Sequence, residues 1–407
     1  MRSRVESFFS YWMLAGTLLF LLSFFLVPER FMQKKVFYAV IVAPFFLSLF
    51  FFNYRSLLKD KMLILASIII IYLGASVLWS PFFSAEVAKS VFRDASYLLA
   101  LVLVTAYVFR EYPQYHQPFL YILCTVATVV GLVLIYHLYA PLNWDFDRVM
   151  IVDWKFRNQN RLSKTYGLIG LLGISLAILS QRKAIIWGGC ITGLVSIIIV
   201  LLTKSKGGAY AVLLTLPLLI FLRKDIAKEI LKNWRFITIA FVMVLIVLIV
   251  VWQLDVIGDF TRDGWSKRNY IWPAVIEQAQ GQWLLGTGYL PKAFIVGTDG
   301  HRYYHEHNLF LALLRQGGLI VLFLMATFLL VLILRGIKSS NQYHRLWAIL
   351  LFYGVMASQS GGRYPLNKPD DDWMWLWIPI AYILAMNQID MLRKHNDIKP
   401  SATTNKI

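Results

Sequence analysis

Residues 309–334 read LFLALLRQGGLIVLFLMATFLLVLIL, an apolar run carrying a single charge, Arg315. About 20 consecutive apolar residues are enough to cross a bilayer as a helix, and this run exceeds that length. It does not alternate, so it reads as a helix and not as a barrel strand, the other form that satisfies its backbone in lipid. Outward from it the pattern recurs along the chain. The 407 residues are 58% apolar and 15% charged, against about 25% charged in soluble domains. The expected class is all-α, a polytopic transmembrane helical bundle of about twelve spans.

The expected spans are Phe8–Val27, Val36–Phe52, Met62–Trp79, Phe92–Phe109, Pro118–Ala140, Tyr166–Ser180, Ala184–Leu202, Ala209–Leu222, Phe236–Leu254, Leu309–Leu334, Leu346–Ala357 and Trp373–Met386. The eleventh is short and leaves ten or eleven crossings open. The first span follows Arg2 and Arg4 but ends in Val27-Pro28-Glu29-Arg30 without a small-x-small cleavage site. It reads as a retained signal anchor. Cys124 and Cys190 both lie inside spans, so neither a disulfide nor a metal cluster is implied. Residues 1–254 hold spans one to nine, 255–308 form an external insertion, 309–388 hold spans ten to twelve, and 389–407 form a polar tail expected to be disordered.

The net charge is +18. With both termini on the cytoplasmic side, Lys and Arg do not divide cleanly between the two faces. The loop of Arg223, Lys224, Lys228, Lys232 and Arg235 and the basic tail support that orientation most. The external segments Leu142–Lys164 and Asp255–Glu306 keep Arg148, Lys155, Arg157, Arg161, Lys164, Arg262, Lys267, Arg268, Lys292 and Arg302. Cations held where topology disfavours them point, as a set, to an anionic ligand. For any one of them contact with membrane lipid head groups is an equal reading. Nothing in the pattern implies a nucleic-acid partner.

Between Trp265 and Trp283 a helical period places Trp265, Arg268, Trp272, Ile276, Ala279 and Trp283 on one face. Such an aromatic stripe suits the membrane interface, and a phosphate at head-group depth is a natural partner for Arg268. The competing reading is a cation–π contact with Trp272. Leu285-Gly286-Thr287-Gly288-Tyr289 marks a tight bend, and His301-Arg302-Tyr303-Tyr304-His305-Glu306-His307-Asn308 leads into the apolar run. Three histidines in seven residues resemble a metal motif, but no Cys or acidic partner motif accompanies them. His307 stands at a helix start, where the dipole favours a neutral ring and adjacent Glu306 opposes it. A neutral imidazole suits a general base for a hydroxyl, and an anchoring or capping His is the plainer alternative. In Thr203-Lys204-Ser205-Lys206-Gly207-Gly208, two lysines beside two glycines suit a phosphate cradle or simple snorkelling. Arg315, inside a span, should face a bundle interior or a cavity.

Together these residues resemble the O-antigen ligase and polymerase superfamily. The resemblance lies in Arg268, Ile271-Trp272, Leu285-Gly286-Thr287-Gly288, His307-Asn308 through Gly317, and Lys206-Gly207 where the family has Ser-Arg-Gly. Lys368-Pro369-Asp370-Asp371-Asp372-Trp373 is similar to the final segment of the ligase branch. Gly317-Gly318-Leu319-Ile320 departs by lacking the family's second Gly three residues later. The resemblance implies a GT-C-type fold in a bacterial inner membrane with its active site facing the periplasm. It implies an inverting, metal-independent and cofactor-free glycosyltransferase that moves O-polysaccharide from undecaprenyl diphosphate to lipid A-core. His307 would be the base, and Arg268 and Lys206 would hold the diphosphate. Lys lacks the bidentate fork of Arg, so Lys204, Arg161 or Arg315 would share that task, with Asn308, Glu306 and Trp272 in support. The alternatives are an O-antigen polymerase, a protein O-oligosaccharyltransferase and, outside enzymes, a polyprenyl-glycan transporter.

Overall fold

The computed structural model describes residues 4–52, 54–139, 158–223, 267–289, 294–361 and 365–397. Helices follow in the order α1 (Arg4–Leu26), α2 (Arg30–Phe37), α3 (Ala43–Ser48), α4 (Lys61–Ala75), α5 (Ala85–Glu111), α6 (His116–Tyr139) and α7 (Gln159–Leu179). They continue as α8 (Lys183–Leu202), α9 (Lys206–Thr215), α10 (Arg268–Gln278), α11 (Leu309–Lys338), α12 (Gln342–Ser358) and α13 (Ile378–Asp397). π-helical turns join α2 to α3 over Tyr38–Val42 and lead into α13 over Trp373–Trp377. Among the described residues the sheet content is one antiparallel hairpin, β1 (Ile295–Val296) against β2 (Arg302–Tyr303). Strands this short carry no readable period, and the sequence did not anticipate them.

Local chemistry explains several helix starts. Asp60, Ser84, Asn158, Asn308 and Asn341 each accept a backbone N–H from the first turn of the helix that follows, which satisfies donors that a helix leaves open. Among the described residues eight helices are long and apolar enough to cross a membrane, and Lys206–Leu222 is a shorter apolar one. The chain is an all-α, multi-pass membrane protein. The expected ninth span, Phe236–Leu254, lies outside the described residues, as do Lys224, Lys228, Lys232, Arg235, Arg148, Lys155, Arg157, Arg262, Trp265 and Lys292. The tail differs from expectation, because α13 continues to Asp397. Gln388 is buried there and donates to the Leu57 carbonyl at 3.1 Å.

Small residues let the helices approach. On α7 and α8, a Cβ on Gly189 would overlap the Gly173 carbonyl, and one on Gly193 would lie 2.7 Å from Ile174 Cγ1. Lipid offers no hydrophobic drive between helices, so close backbone packing of this kind supplies much of the association. At the centre, Trp373, Trp375, Trp377 and Tyr382 are fully buried, with Tyr382 stacked on Trp347 at 4.0 Å between centroids.

α11 is opened near its start. Gly318 has φ 69° and ψ −168° inside it, a region essentially reserved for glycine. The loop at 283–287 occupies the break. Thr287 donates through its amide and its hydroxyl to the Arg315 carbonyl, at 2.7 and 2.8 Å. The Leu319 amide donates to the Trp283 carbonyl at 2.7 Å, and the Ile320 amide to that of Leu284 at 3.4 Å. Tyr72 covers the Gly317 carbonyl at 3.1 Å. Partners from outside thus replace the bonds the helix gives up, as non-helical backbone within a bilayer requires.

Helix direction alternates, and one end of the bundle collects the starts of α2, α7, α9 and α11 with the ends of α4, α8 and α12. Contacts there include Ser205 Oγ to Asn160 Oδ1 at 2.9 Å, Trp79 Nε1 to the Leu285 carbonyl at 3.0 Å and Tyr289 Oη to the Leu366 carbonyl at 2.8 Å. Gly318→Ala is expected to lower the thermal unfolding midpoint of the purified protein. The cost should be at least about 1–3 kcal/mol from the backbone conformation alone, since a Cβ there would also overlap the Leu284 carbonyl. Gly188→Ala, where no atom lies within 4 Å of the added Cβ, should leave the midpoint unchanged or raised.

Candidate functional site

The turn between α8 and α9 is tight. Lys204 takes φ 47°, and Lys206 is the first residue of α9. Ser205 makes no cap bond to its own helix, its hydroxyl being given to Asn160. The start of α9 therefore presents backbone amides and the positive end of its dipole without a side-chain cap. Gly207 and Gly208 let other chains come close: a Cβ on Gly207 would overlap Ser360 Oγ, and one on Gly208 would overlap Ser163 Oγ. Ser163 Oγ is buried without a hydrogen-bond partner among the described residues.

The turn Ser360-Gly361, just past α12, gathers the cations. Lys164, buried on α7, brings Nζ to a point 2.7 Å from where a Cβ on Gly361 would sit. Arg268, at the start of α10, donates from Nη2 to the Ser360 carbonyl at 2.5 Å. Its Nε is buried without a hydrogen-bond partner among the described residues. Burial lowers the Arg268 pKa from its ordinary value, a cost of desolvating the charge that an anionic neighbour would offset. Arg268 thus gives one of its guanidinium N–H groups to a carbonyl.

Helix α10 links this turn to the histidines. Trp272, one turn after Arg268, donates from Nε1 to the Glu306 carbonyl at 3.2 Å. Residues four apart lie on one face about 6 Å apart along the axis, so the Ser360 and Glu306 segments meet the same side of α10. The expected aromatic stripe is corrected in part. The buried face of α10 is Ile271, Ala274 and Val275, packed with Ile295 and Tyr303 of the hairpin. Ile276 is exposed, and Trp283 is exposed and lies beyond the helix. The hairpin, absent from the sequence reading, decides which side turns inward.

His307 has φ 54°, unusual for a side-chain-bearing residue. Its neighbours hold it there. Asn308 accepts from the Phe310 and Leu311 amides at 2.9 and 3.1 Å as the cap of α11. Glu306 is fully buried and accepts from Arg315 Nη1 at 2.9 Å. The His305 and His307 rings lie 3.9 Å apart, edge to face. His301 sits apart in the hairpin turn, against Asp299. Among the described residues no group of three His, Cys, Asp or Glu is placed to hold a metal ion.

Two of the cations expected on phosphate are engaged by carboxylates instead. Arg315 is buried against Glu306. Arg161 donates from Nη1 to Asp370 at 2.6 Å and to Asp371 at 3.1 Å, and Arg30 lies 3.6 Å from both. Burial pushes the Asp370 carboxyl up, but Arg161 and Arg30 outweigh it and hold the group below the usual carboxylate range. The sequence reading missed the Ser360-Gly361 turn, and it counted Lys164 only among external cations. Nothing local marks either, since each acquires its place from a distant segment.

A family model described as O-antigen ligase matches residues 191–326. The stretch carries Lys204, Lys206, Arg268, Trp272, Glu306, His307, Asn308 and Arg315, whereas Arg161, Lys164, Ser360 and Asp370 complete the same corner from outside it. The chain is also similar to an O-antigen ligase of Pseudomonas aeruginosa, 30% identical over 127 residues. That match covers 31% of this chain and 32% of the relative, so the chain aligns with about a third of that protein's length.

The Glu306–Arg315 pair should behave as a buried ion pair. Glu306→Gln leaves Arg315 without its counter-charge and is expected to destabilise by about 3–5 kcal/mol. Glu306→Gln with Arg315→Met should recover most of that loss in a double-mutant cycle on thermal unfolding. Additive losses would mean that the two residues do not stabilise one another.

Proposed function

We propose that the protein is an inverting glycosyltransferase that moves O-polysaccharide from undecaprenyl diphosphate to a sugar hydroxyl of lipid A-core. The site would face the periplasm from a bacterial inner membrane. One observation carries this reading. Arg268, Lys164 and the start of α9 with Lys206 converge on the Ser360-Gly361 turn, and the segment bearing His307 meets α10 one turn away.

The chemistry follows from that arrangement. A diphosphate at the turn would meet helix-start amides and concentrated positive charge. Diphosphate leaves readily, so the demand is for charge stabilisation as the sugar–oxygen bond breaks, which preorganised cations supply best. The acceptor oxygen attacks the anomeric carbon from the opposite face, its bond forming as the bond to diphosphate breaks, and the centre inverts. The hydroxyl proton passes to His307. Lys164 adds the charge that Lys206 alone, a point charge without a guanidinium fork, does not provide, with Lys204 adjacent. Arg161 and Arg315 position the site: Arg161 ties α7 to the Asp370–Asp371 segment, and Arg315 fixes Glu306 beside His307. Asn308 and Trp272 hold the same segment from either side.

His307→Ala is expected to lower glycan transfer by about a hundredfold or more, the range of general-base catalysis, with expression and unfolding midpoint unchanged. Normal transfer in that variant would remove His307 as base. Arg268→Lys should raise the KM for the lipid-linked donor, and chelation should leave the rate unchanged. Cells lacking the protein should lose the whole O-antigen ladder and keep a complete core. A core bearing a single repeat unit would identify a polymerase instead.

A further inference from the structure

A second cluster of cations lies where α2 meets the Asp370–Asp371 segment through Arg30. The inward face of α2 presents Arg30, Gln33, Lys34 and Phe37 at helical spacing. Phe37 is buried against Phe20 and Trp373. Lys34 lies within electrostatic reach of Lys368, Arg30, Asp370 and Asp94, and Asp94 within reach of Arg93, Lys368 and Lys34.

The nearby carboxylates are already engaged. Asp370 and Asp371 face Arg30 and Arg161, and Asp94 lies 3.3 Å from Arg93. That leaves two half-buried lysines, Lys34 and Lys368, brought together with neither a hydrogen bond nor an ion pair among the described residues. Gln33 is fully buried beside Lys34, with both ends of its amide lacking a hydrogen-bond partner among the described residues. Asp94 and Asp370 lie within reach of the lysines but are shared with Arg93, Arg30 and Arg161, so the cluster keeps an excess of positive charge that a further anion would offset.

The surroundings indicate where the anion comes from. Phe31 and Met32, on α2 with Lys34, and Phe92, next to Arg93 on α5, are exposed. Aromatic and basic residues mixed in this way mark the depth of lipid head groups. We propose that Lys34 and Lys368, with Arg93 at the rim, form a second anion site that takes the phosphate of a membrane-embedded glycolipid. As to which glycolipid, the inference rests on the transfer reading above and names the acceptor, docked by its phosphate where α2 meets the Asp370–Asp371 segment.

Binding tests this without any transfer step. The full-length protein in detergent would be titrated with phosphorylated lipid A-core and with the same lipid after phosphatase treatment, using native mass spectrometry. The wild type should bind the phosphorylated form at least about tenfold more tightly, the equivalent of one good charged contact. Lys34→Gln with Lys368→Gln should lose that preference while binding the dephosphorylated lipid as before, and Lys34→Arg with Lys368→Arg should keep it. Equal binding of the phosphorylated lipid by wild type and the Gln variant overturns the site. Equally effective displacement by phosphatidylglycerol overturns its assignment to the acceptor and leaves a general phospholipid contact. In transfer assays the Gln variant should raise the KM for acceptor and not for donor. A wild type that binds in the phosphate-dependent way but transfers nothing would refute the transfer reading and spare the anion site.

Discussion

A helix in lipid has nowhere to leave an amide or a carbonyl unpaired, yet α11 is opened within its first few turns. The opening exists because the loop at 283–287 supplies the missing partners, taking the Arg315 carbonyl and covering the amides of Leu319 and Ile320. This exchange fixes the external insertion to the bundle and sets the short first part of α11 apart from the long remainder. That first part carries Asn308 and Arg315. The orientation of His307 therefore depends on a backbone exchange about ten residues further along, at a glycine whose conformation no other residue adopts readily.

Charge pairing then sorts the cations at this end of the bundle. Of the arginines gathered there, Arg315 is held by Glu306 and Arg161 by Asp370 and Asp371. Buried pairs of this kind contribute little net stability but are costly to break, and so they serve as struts. Arg268 is held differently, by a carbonyl oxygen that, among the described residues, leaves its charge uncancelled. With Lys164 and the start of α9 at the same turn, the positive charge is concentrated at Ser360–Gly361. The Asp370–Asp371 segment is shared by Arg161 of α7 and Arg30 of α2, and so ties those two helices together.

The class, most helices and the segment carrying the site were legible in the sequence, because each rests on local physics. Continuous apolar runs must be helical in lipid, and Asp, Ser or Asn before a run caps the helix that follows. Arg268, Trp272 and His307 stood out for similar reasons: a charge inside an aromatic pattern and an imidazole at a helix start can be read within a dozen residues. The aromatic stripe was only partly right, since the inward face of α10 is chosen by a hairpin too short to leave a period.

Which cations cluster and which are neutralised was decided by the tertiary structure alone. Arg161 meets Asp370 across 209 residues, and Arg268 meets Ser360 across 92. The glycines at 207, 208 and 361 matter only through what they allow distant side chains to approach. The sequence by itself determined a membrane helical bundle, because backbone satisfaction in lipid is a property of each segment. The tertiary structure determined the charge pattern of the site, because Coulomb pairing depends on distance in space and takes no account of distance along the chain.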